Sequence, residues 1–459
     1  MTICLNFKFA IHMMRLHKIF SLVLILIGAT ACSNFAELDD IDPNDQIGTD
    51  QAVTDFNSAA AALNGLYDEL QDGTLVFDGY LSLPQYFSDE AIFTGTFPTR
   101  LEFGNFNVFP ANGTMAGVFT DFYDVINVAN NLIELLPTID DPSLTDAVVN
   151  DFIGQARMVR AFSYFYLTQG WSDVPLITTA TSSDNVGDAL NVPASPRSDV
   201  LGQIMDDLAF AQSNITETDS ERATATAAYA LAARVELIRG NYQAAYDNAI
   251  TALGGEGFDL TAFEYLQDRI FTLNFTTVDA NSLNFFYGPA EFGGRHSIEP
   301  SPTLIGSYED GDLRFAQSID LTSATVPFTL KYSDFRGAGQ GTDPLYFIRH
   351  AEMVLIAAEA AAELGDFTEA SDWINQVRTR AGLPNVTLTA DNYVDLILQE
   401  RFIELSLEAG HRLWDLRRRG RAVDVLGPQG YDSCDDVWPL PQRDVDRNLN
   451  LNQNTCCNC

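Results

Sequence analysis

The sequence is short of histidine, tryptophan and basic side chains. Five histidines in 459 residues are too few to expect a histidine-built active site. Only 26 lysines and arginines stand against 63 aspartates and glutamates, a formal net charge of −37. That balance excludes a nucleic-acid partner, because phosphate binding needs a basic surface. Long apolar runs are missing as well. Beyond residues 19–27 no stretch approaches the ~20 apolar residues of a membrane-crossing helix. Apolar material itself is plentiful: hydrophobic residues make up 46% of the chain, with 31 Phe and 16 Tyr. A sizeable core is therefore available, and global disorder is excluded despite the charge. At ~150 residues per domain, the length fits two or three domains or one large one.

Arg15, His17 and Lys18 precede an apolar run from Ile19 to Ile27, and Gly28-Ala29-Thr30-Ala31 then leads into Cys32. A basic segment, a short apolar core and small residues before a break describe a secretory signal. The cysteine directly after them resembles a bacterial lipobox, in which it becomes the acylated first residue. Residues 1–31 are thus expected to be a signal peptide, with the true start at Met13 or Met14. Residues 32–50 follow as the lipidated Cys32 and an acidic tether carrying Glu37, Asp39, Asp40, Asp42 and Asp45. Such an acidic stretch resembles the signal that sends lipoproteins of Bacteroidetes-type bacteria to the outer face of the outer membrane. From Cys32 onward, 23 basic side chains face 63 acidic ones in 428 residues.

Residues 51–459 read as one mostly helical domain. Ile348, Ala351, Leu355, Ala358 and Ala362 step by three and four, the period of one buried helix face. Gly365-Asp366 breaks that helix, and a second one carries Trp373, Ile374 and Val377. Ala228, Leu231 and Val235, then Gly240-Asn241, then Ala245, Ala249 and Ala252 repeat the device. Helix–Gly–helix hairpins with small contact faces look like tetratricopeptide units, here an interrupted array. Residues 73–110 and 271–308 differ in kind, being rich in Gly, Asn, Thr, Pro and aromatics without a helical period. They read as inserted loops or short strands, the second insertion reaching about residue 340. Loops on a rigid scaffold are where binding function concentrates.

Several motifs occur in a fixed order. Ala156-Arg157-Met158-Val159-Arg160-Ala161 is followed by Gly170-Trp171-Ser172-Asp173-Val174-Pro175-Leu176. Arg349-His350-Ala351-Glu352 precedes Ile374-Asn375-Gln376-Val377-Arg378-Thr379-Arg380. Glu400-Arg401, Glu404-Leu405, Glu408-Ala409-Gly410-His411-Arg412, Trp414-Asp415-Leu416-Arg417 and Trp438-Pro439-Leu440-Pro441 close the series. Over essentially the whole mature chain this set resembles the SusD/RagB family of outer-membrane nutrient-binding lipoproteins. The resemblance implies a mostly helical fold of tetratricopeptide-like helix pairs, with inserted loops that bind nutrient. It also implies a SusC-like TonB-dependent transporter as partner, with the lipoprotein as its lid. Glycans are the commonest ligands of the family and peptides an alternative, and no catalytic residues or cofactors are implied. Arg157, Arg160, Arg401, Arg412 and Arg417 are expected to pair with nearby carboxylates and fix helix crossings. The tail departs from the family, ending Thr455-Cys456-Cys457-Asn458-Cys459.

Motifs of known chemistry are otherwise missing. His350-Ala351-Glu352 lacks the downstream Pro-Cys-x-x-Cys of a zinc deaminase. Asp40, Asp42 and Asn44 begin like a calcium loop, but Asp45 and Gln51 stand where Gly and Glu belong. Asp89-Glu90 could serve a lipid-anchored glycosidase, yet carboxylates are so frequent that proximity in sequence carries no weight. Cys434, Cys456, Cys457 and Cys459 are disulfide candidates in an oxidising envelope, and Cys434 paired with the tail is the main reading. A metal or redox site at Cys456 and Cys459 is the alternative.

All four tryptophans fall inside the family motifs and read as structural. Stacking on sugar rings is then left to the loop aromatics. Tyr80, Tyr86, Phe93, Phe97, Phe286 and Tyr287 are the candidate ligand-binding rings, with Arg295 and His296 as donors to hydroxyls. The loop after Asp89-Glu90 and the loop around residues 285–296 are expected to share one exposed face.

Overall fold

The computed structural model describes residues 52–181, 187, 191–260, 268–322, 326–332 and 341–454. Cys32, the signal segment, the tether, Cys456, Cys457 and Cys459 lie outside the described residues.

Among the described residues, ten α-helices of eight residues or more form the scaffold. They are α1 (Phe56–Leu70), α2 (Gly113–Leu135), α3 (Asp146–Trp171), α4 (Arg197–Asn214) and α5 (Ala225–Arg239). The rest are α6 (Tyr242–Leu253), α7 (His350–Glu363), α8 (Phe367–Arg380), α9 (Tyr393–Glu404) and α10 (His411–Arg418). Their starts are written in the sequence. Asn112, Thr224 and Asp366 each accept a backbone N–H of the first turn through the side chain, capping α2, α5 and α8. The α5–α6 and α7–α8 hairpins turn at Gly240 (φ 75°) and Gly365 (φ 89°), where a side chain would be strained.

Consecutive helices pack side by side: α2 on α3, α3 on α4, α4 on α5, α5 on α6 and α7 on α8. α6 also packs on α7, although the chain between them runs from residue 254 to 349. The array interrupted in sequence is therefore continuous in space. α7 is not amphipathic. Every residue from Ala351 to Ala362 is buried, because α5, α6, α8 and α9 surround it. Ile348 does not belong to that helix but to a strand, since the chain enters the array through extended backbone.

The strands are short and antiparallel. β1 (Ala91–Phe93) pairs with β5 (Ile298–Pro300), and β2 (Val174–Pro175) with β3 (Ala194–Ser195). β4 (Arg269–Leu273) pairs with β8 (Leu345–Arg349), and β6 (Ile319–Asp320) with β7 (Phe328–Thr329). The β4–β8 pair is the neck through which the second insertion leaves the helical array and returns.

The first insertion corrects the sequence reading. Leu75–Ser82 is a π-helix that runs into a short α-helix, Leu83–Tyr86, and every residue of both is buried. Apolar side chains on all sides of this turn leave it no solvated face, so it packs as core. The Tyr80 ring lies against Phe122, Phe162, Tyr166 and Phe347 at centroid distances of 4.7 to 5.8 Å. Trp171, Trp373, Trp414 and Trp438 are buried as well. Gly170 lets Trp438 approach, since a Cβ there would sit 2.7 Å from the indole.

Charged side chains knit the second insertion to the helices. Arg349 is buried and bonds Asp268 at 2.6 Å, Glu404 at 3.1 Å and Glu408 at 2.8 Å. Arg314 reaches Asp312, Glu400 and Glu404. Burial works against ionising Glu404 and Glu408, yet the surrounding guanidiniums hold both below the usual carboxylate range. Arg160 makes a two-pronged pair with Asp207 of α4 at 2.8 and 2.7 Å, and Arg157 lies 3.9 Å from the same carboxylate. Arg401 pairs with Asp415 and Arg412 with Asp89. Arg417 departs from the expectation: it donates to the Gln169 carbonyl in the last turn of α3, to the Asp435 carbonyl and to the Tyr431 hydroxyl, because it meets the unpaired carbonyls of a helix end and not a carboxylate.

Candidate functional site

The two aromatic segments meet along β1 and β5. Ile92 faces Glu299 in that register, and Phe93 faces Ile298. Thr94 extends the pairing by donating its N–H to Ser297 O at 3.0 Å and its hydroxyl to the His296 carbonyl. The short helix Pro98–Gly104 follows at once and carries Arg100 beneath the loop. On the other segment, a one-turn helix (Leu283–Tyr287) is folded back by a tight turn, where Arg295 N–H bonds Phe285 O at 2.6 Å. Gly294 packs so closely on Gly288 that a Cβ would lie 2.0 Å from its carbonyl oxygen. The turn therefore tolerates only glycine there.

This geometry divides the sequence candidates into two groups. Tyr80, Tyr86 and Tyr287 are core residues with 1% exposure or less, so they cannot stack on a ligand. The Tyr287 hydroxyl donates to Gln85 Oε1 at 2.7 Å, and Tyr86 donates to Ser297 O at 3.2 Å. Burial drives the pKa of each of these phenols well above the ordinary value. Phe286 is half-buried and stacks on Phe77 with centroids 4.0 Å apart, while Phe93 packs edge-on to Tyr86.

Phe97 and Arg295 do meet at the surface. Phe97 is 40% exposed, and the Arg295 guanidinium lies 4.6 Å from its ring centroid, with that of Arg100 at 4.9 Å. Arg100 is held from below by Asp78 through two bonds of 2.7 Å. Arg295 is exposed and makes no ion pair with a described carboxylate. His296 is turned inward, its Nε2 3.0 Å from the Pro327 carbonyl.

Two exposed rings of this face were not among the sequence candidates. Phe285 and Phe292 are 44% and 43% exposed, beside Ile92 at 42%. Their signal lay in the local pattern. Phe285, Phe286 and Tyr287 are consecutive on a single helical turn, ~100° apart, so the three rings point in different directions. Phe292 precedes Gly293-Gly294 in a turn that has no interior. Exposed flat rings beside an unpaired guanidinium and threonine hydroxyls suit a ligand with both C–H faces and hydroxyls.

The Asp89-Glu90 pair lies beneath this face and is spent on structure. Asp89 is buried and clamped by Arg412 at 2.7 and 2.8 Å. Glu90 accepts the Leu407 N–H, and burial pushes its carboxyl up to about 8. Cys434 is disulfide-bonded, and its partner falls outside the described residues, which contain no other cysteine.

The profile of the SusD family matches residues 303–433, and a profile described as starch-binding, associating with outer membrane, matches residues 100–237. The chain is SusD-like, similar to the SusD/RagB family over both matched segments. SusD-like protein P2 of Formosa agariphila is 27% identical over 522 aligned positions, covering 96% of this chain and 99% of that protein. A SusD superfamily protein of Bacteroides vulgatus superimposes with a TM-score of 0.79 at 21% identity, covering 87% of this chain and 98% of the other. A laminarin-binding SusD-like protein gives 0.76 at 23% identity, with 88% and 100% covered. The SusD-like fold is thereby established, with the SusD profile spanning α7 to α10 and the starch-binding profile spanning α2 to α5.

Proposed function

We propose that this SusD-like chain is a surface lipoprotein that binds oligo- or polysaccharide and delivers it to a SusC-like TonB-dependent transporter without cleaving it. The observation that carries this reading is the loop face, where Phe285, Phe292 and Phe97 are exposed beside Arg295 on backbone fixed by the β1–β5 pair. A pyranose offers a C–H face to such rings while its hydroxyls meet the guanidinium and the threonines. The starch-binding character of the matched profile and the laminarin binding of a structural neighbour support a glycan as ligand. The family's association with the outer membrane supports that location, and the lipobox reading of Cys32 supplies the anchor. No described helix is long and apolar enough to cross a membrane.

Calorimetric titration against a panel of neutral polysaccharides and a peptide mixture tests the ligand class. Saturable binding to at least one glycan, with no new reducing ends after incubation, is the expected result. Binding confined to peptides, or steady release of reducing ends, would overturn it.

A further inference from the structure

A cleft of about 300 Å³ opens between α2, the chain leaving β2, and the C-terminal segment that follows the short helix Gln442–Arg447. None of its lining residues belongs to the loop face. Phe119, Tyr123 and Leu451 give it an apolar, partly aromatic floor. The size lies at the small end of ligand clefts, which run from ~300 to ~1,000 Å³.

The walls are fixed before any ligand arrives. The Tyr164 hydroxyl donates to Ile177 O at 2.8 Å and accepts the Ile177 N–H at 2.7 Å. Asn130 donates to the carbonyls of Ile177 and Thr179, and is itself held by the buried Arg160. Tyr123 donates its hydroxyl to Pro175 O at 2.7 Å, which pins the ring. On the far side, Asn448 donates to Val192 O at 2.7 Å. A site whose backbone is already satisfied pays little to order itself on binding.

What remains uncommitted at the cleft is a matched set. Asn127 spends its side-chain oxygen on the Thr181 N–H at 2.8 Å, and its Nδ2 donates to no described group. Asp124 accepts no hydrogen bond from the described residues, and Arg447 forms no ion pair with them. Asp444 is paired with Arg443 at 3.2 Å. The free groups are thus one carboxylate, one guanidinium and two amide N–H donors, balanced in charge, above an aromatic floor.

We propose that this cleft is a second saccharide site, taking a single neutral sugar ring. An anionic ring would meet Asp124 without a surplus of positive charge. A purely apolar ligand would desolvate Asn127, Asp124 and Arg447 and give them nothing in return. A polyhydroxylated ring satisfies donors and acceptors together and lays its C–H face on Tyr123, with Phe119 packed behind that ring. The inference stands on this cleft alone and does not require the loop-face reading.

The test is saturation-transfer NMR and titration of the full chain with glucose, galactose, mannose, xylose and glucuronate, each to ~50 mM, which detects a Kd of order 1 mM. At least one neutral sugar should bind, and more tightly than glucuronate. Asn127→Asp keeps the oxygen that holds Thr181 and removes the two donors. That variant and Arg447→Ala should each weaken binding about tenfold. Three results would overturn the proposal: no neutral sugar binding, glucuronate binding best, or affinity untouched by both cleft variants. Arg447 is exposed, so its variant reports on the cleft even if Asn127→Asp disturbs the chain leaving β2.

Discussion

The Tyr287 hydroxyl donates to Gln85 Oε1 inside the core, and its ring touches Phe77 and Tyr332. Tyr287→Phe keeps the ring and removes one buried hydrogen bond, leaving the Gln85 oxygen unpaired. A loss of ~1–3 kcal/mol of stability with unchanged glycan affinity is expected, read by denaturant unfolding beside titration. A drop in affinity at intact stability would put this ring in the ligand site after all. Glu90 gives a pH signature of the opposite kind to most carboxylates. Its folded-state pKa is raised from 4.5 to about 8 by burial, so the folded chain holds this proton over a range where the unfolded chain has lost it. Its contribution to stability is complete below about pH 4.5 and is lost as pH rises through about 8. Glu90→Gln cannot ionise and should flatten that loss, so the variant gains on the parent as pH climbs from 5 to 9. A constant difference across the range would show that Glu90 does not titrate there.

At the scale of elements, the helical hairpins were legible because their turns need glycine and their contact faces need alanine. Gly240 sits at φ 75° with open space around it. Gly240→Ala therefore carries only the backbone penalty, ~1–2 kcal/mol, without a clash. A thermal scan should find the loss, and no change in melting temperature would contradict the turn as described. The aromatic insertions were harder to read. Composition marked residues 73–110 as loop, but Leu75 to Tyr86 coil into buried helical turns because tertiary neighbours cover every side of them. The same composition gave no means of sorting Tyr80 and Tyr86 from Phe97. Burial there depends on which partner lies opposite, and those partners, such as Phe122 and Phe347, are distant in sequence. Phe97 and Arg295 stood in the same undivided set of candidates, and only the structure separates them as exposed. The exposure of Phe285 over Phe286 and Tyr287 was fixed only by the direction of one helical turn.

At the scale of the whole molecule, the acidic excess sets what can approach. A net charge of −37 repels polyanionic glycans at a distance, although salt screens this beyond ~8–10 Å. Neutral polysaccharides should therefore bind better than sulfated or uronate-rich ones, most clearly at low salt. The expected anchor is a molecule-scale property too. Cys32→Ala should release the chain from the membrane fraction in a strain lacking the transporter, since several acyl chains together hold far more firmly than one. Retention of the variant in membranes would sink the lipobox reading.

The central claim is that the loop face holds the glycan. The most direct measurement is calorimetric titration of parent, Phe285→Ala and Phe292→Ala with laminarin or whichever neutral glycan binds best, with melting temperatures recorded alongside. By analogy with base stacking, each ring is worth ~1–3 kcal/mol. Affinity should be about ten- to a hundredfold weaker in each variant at an unchanged melting temperature. Unaltered affinity in both variants would contradict it and place the ligand elsewhere on the molecule.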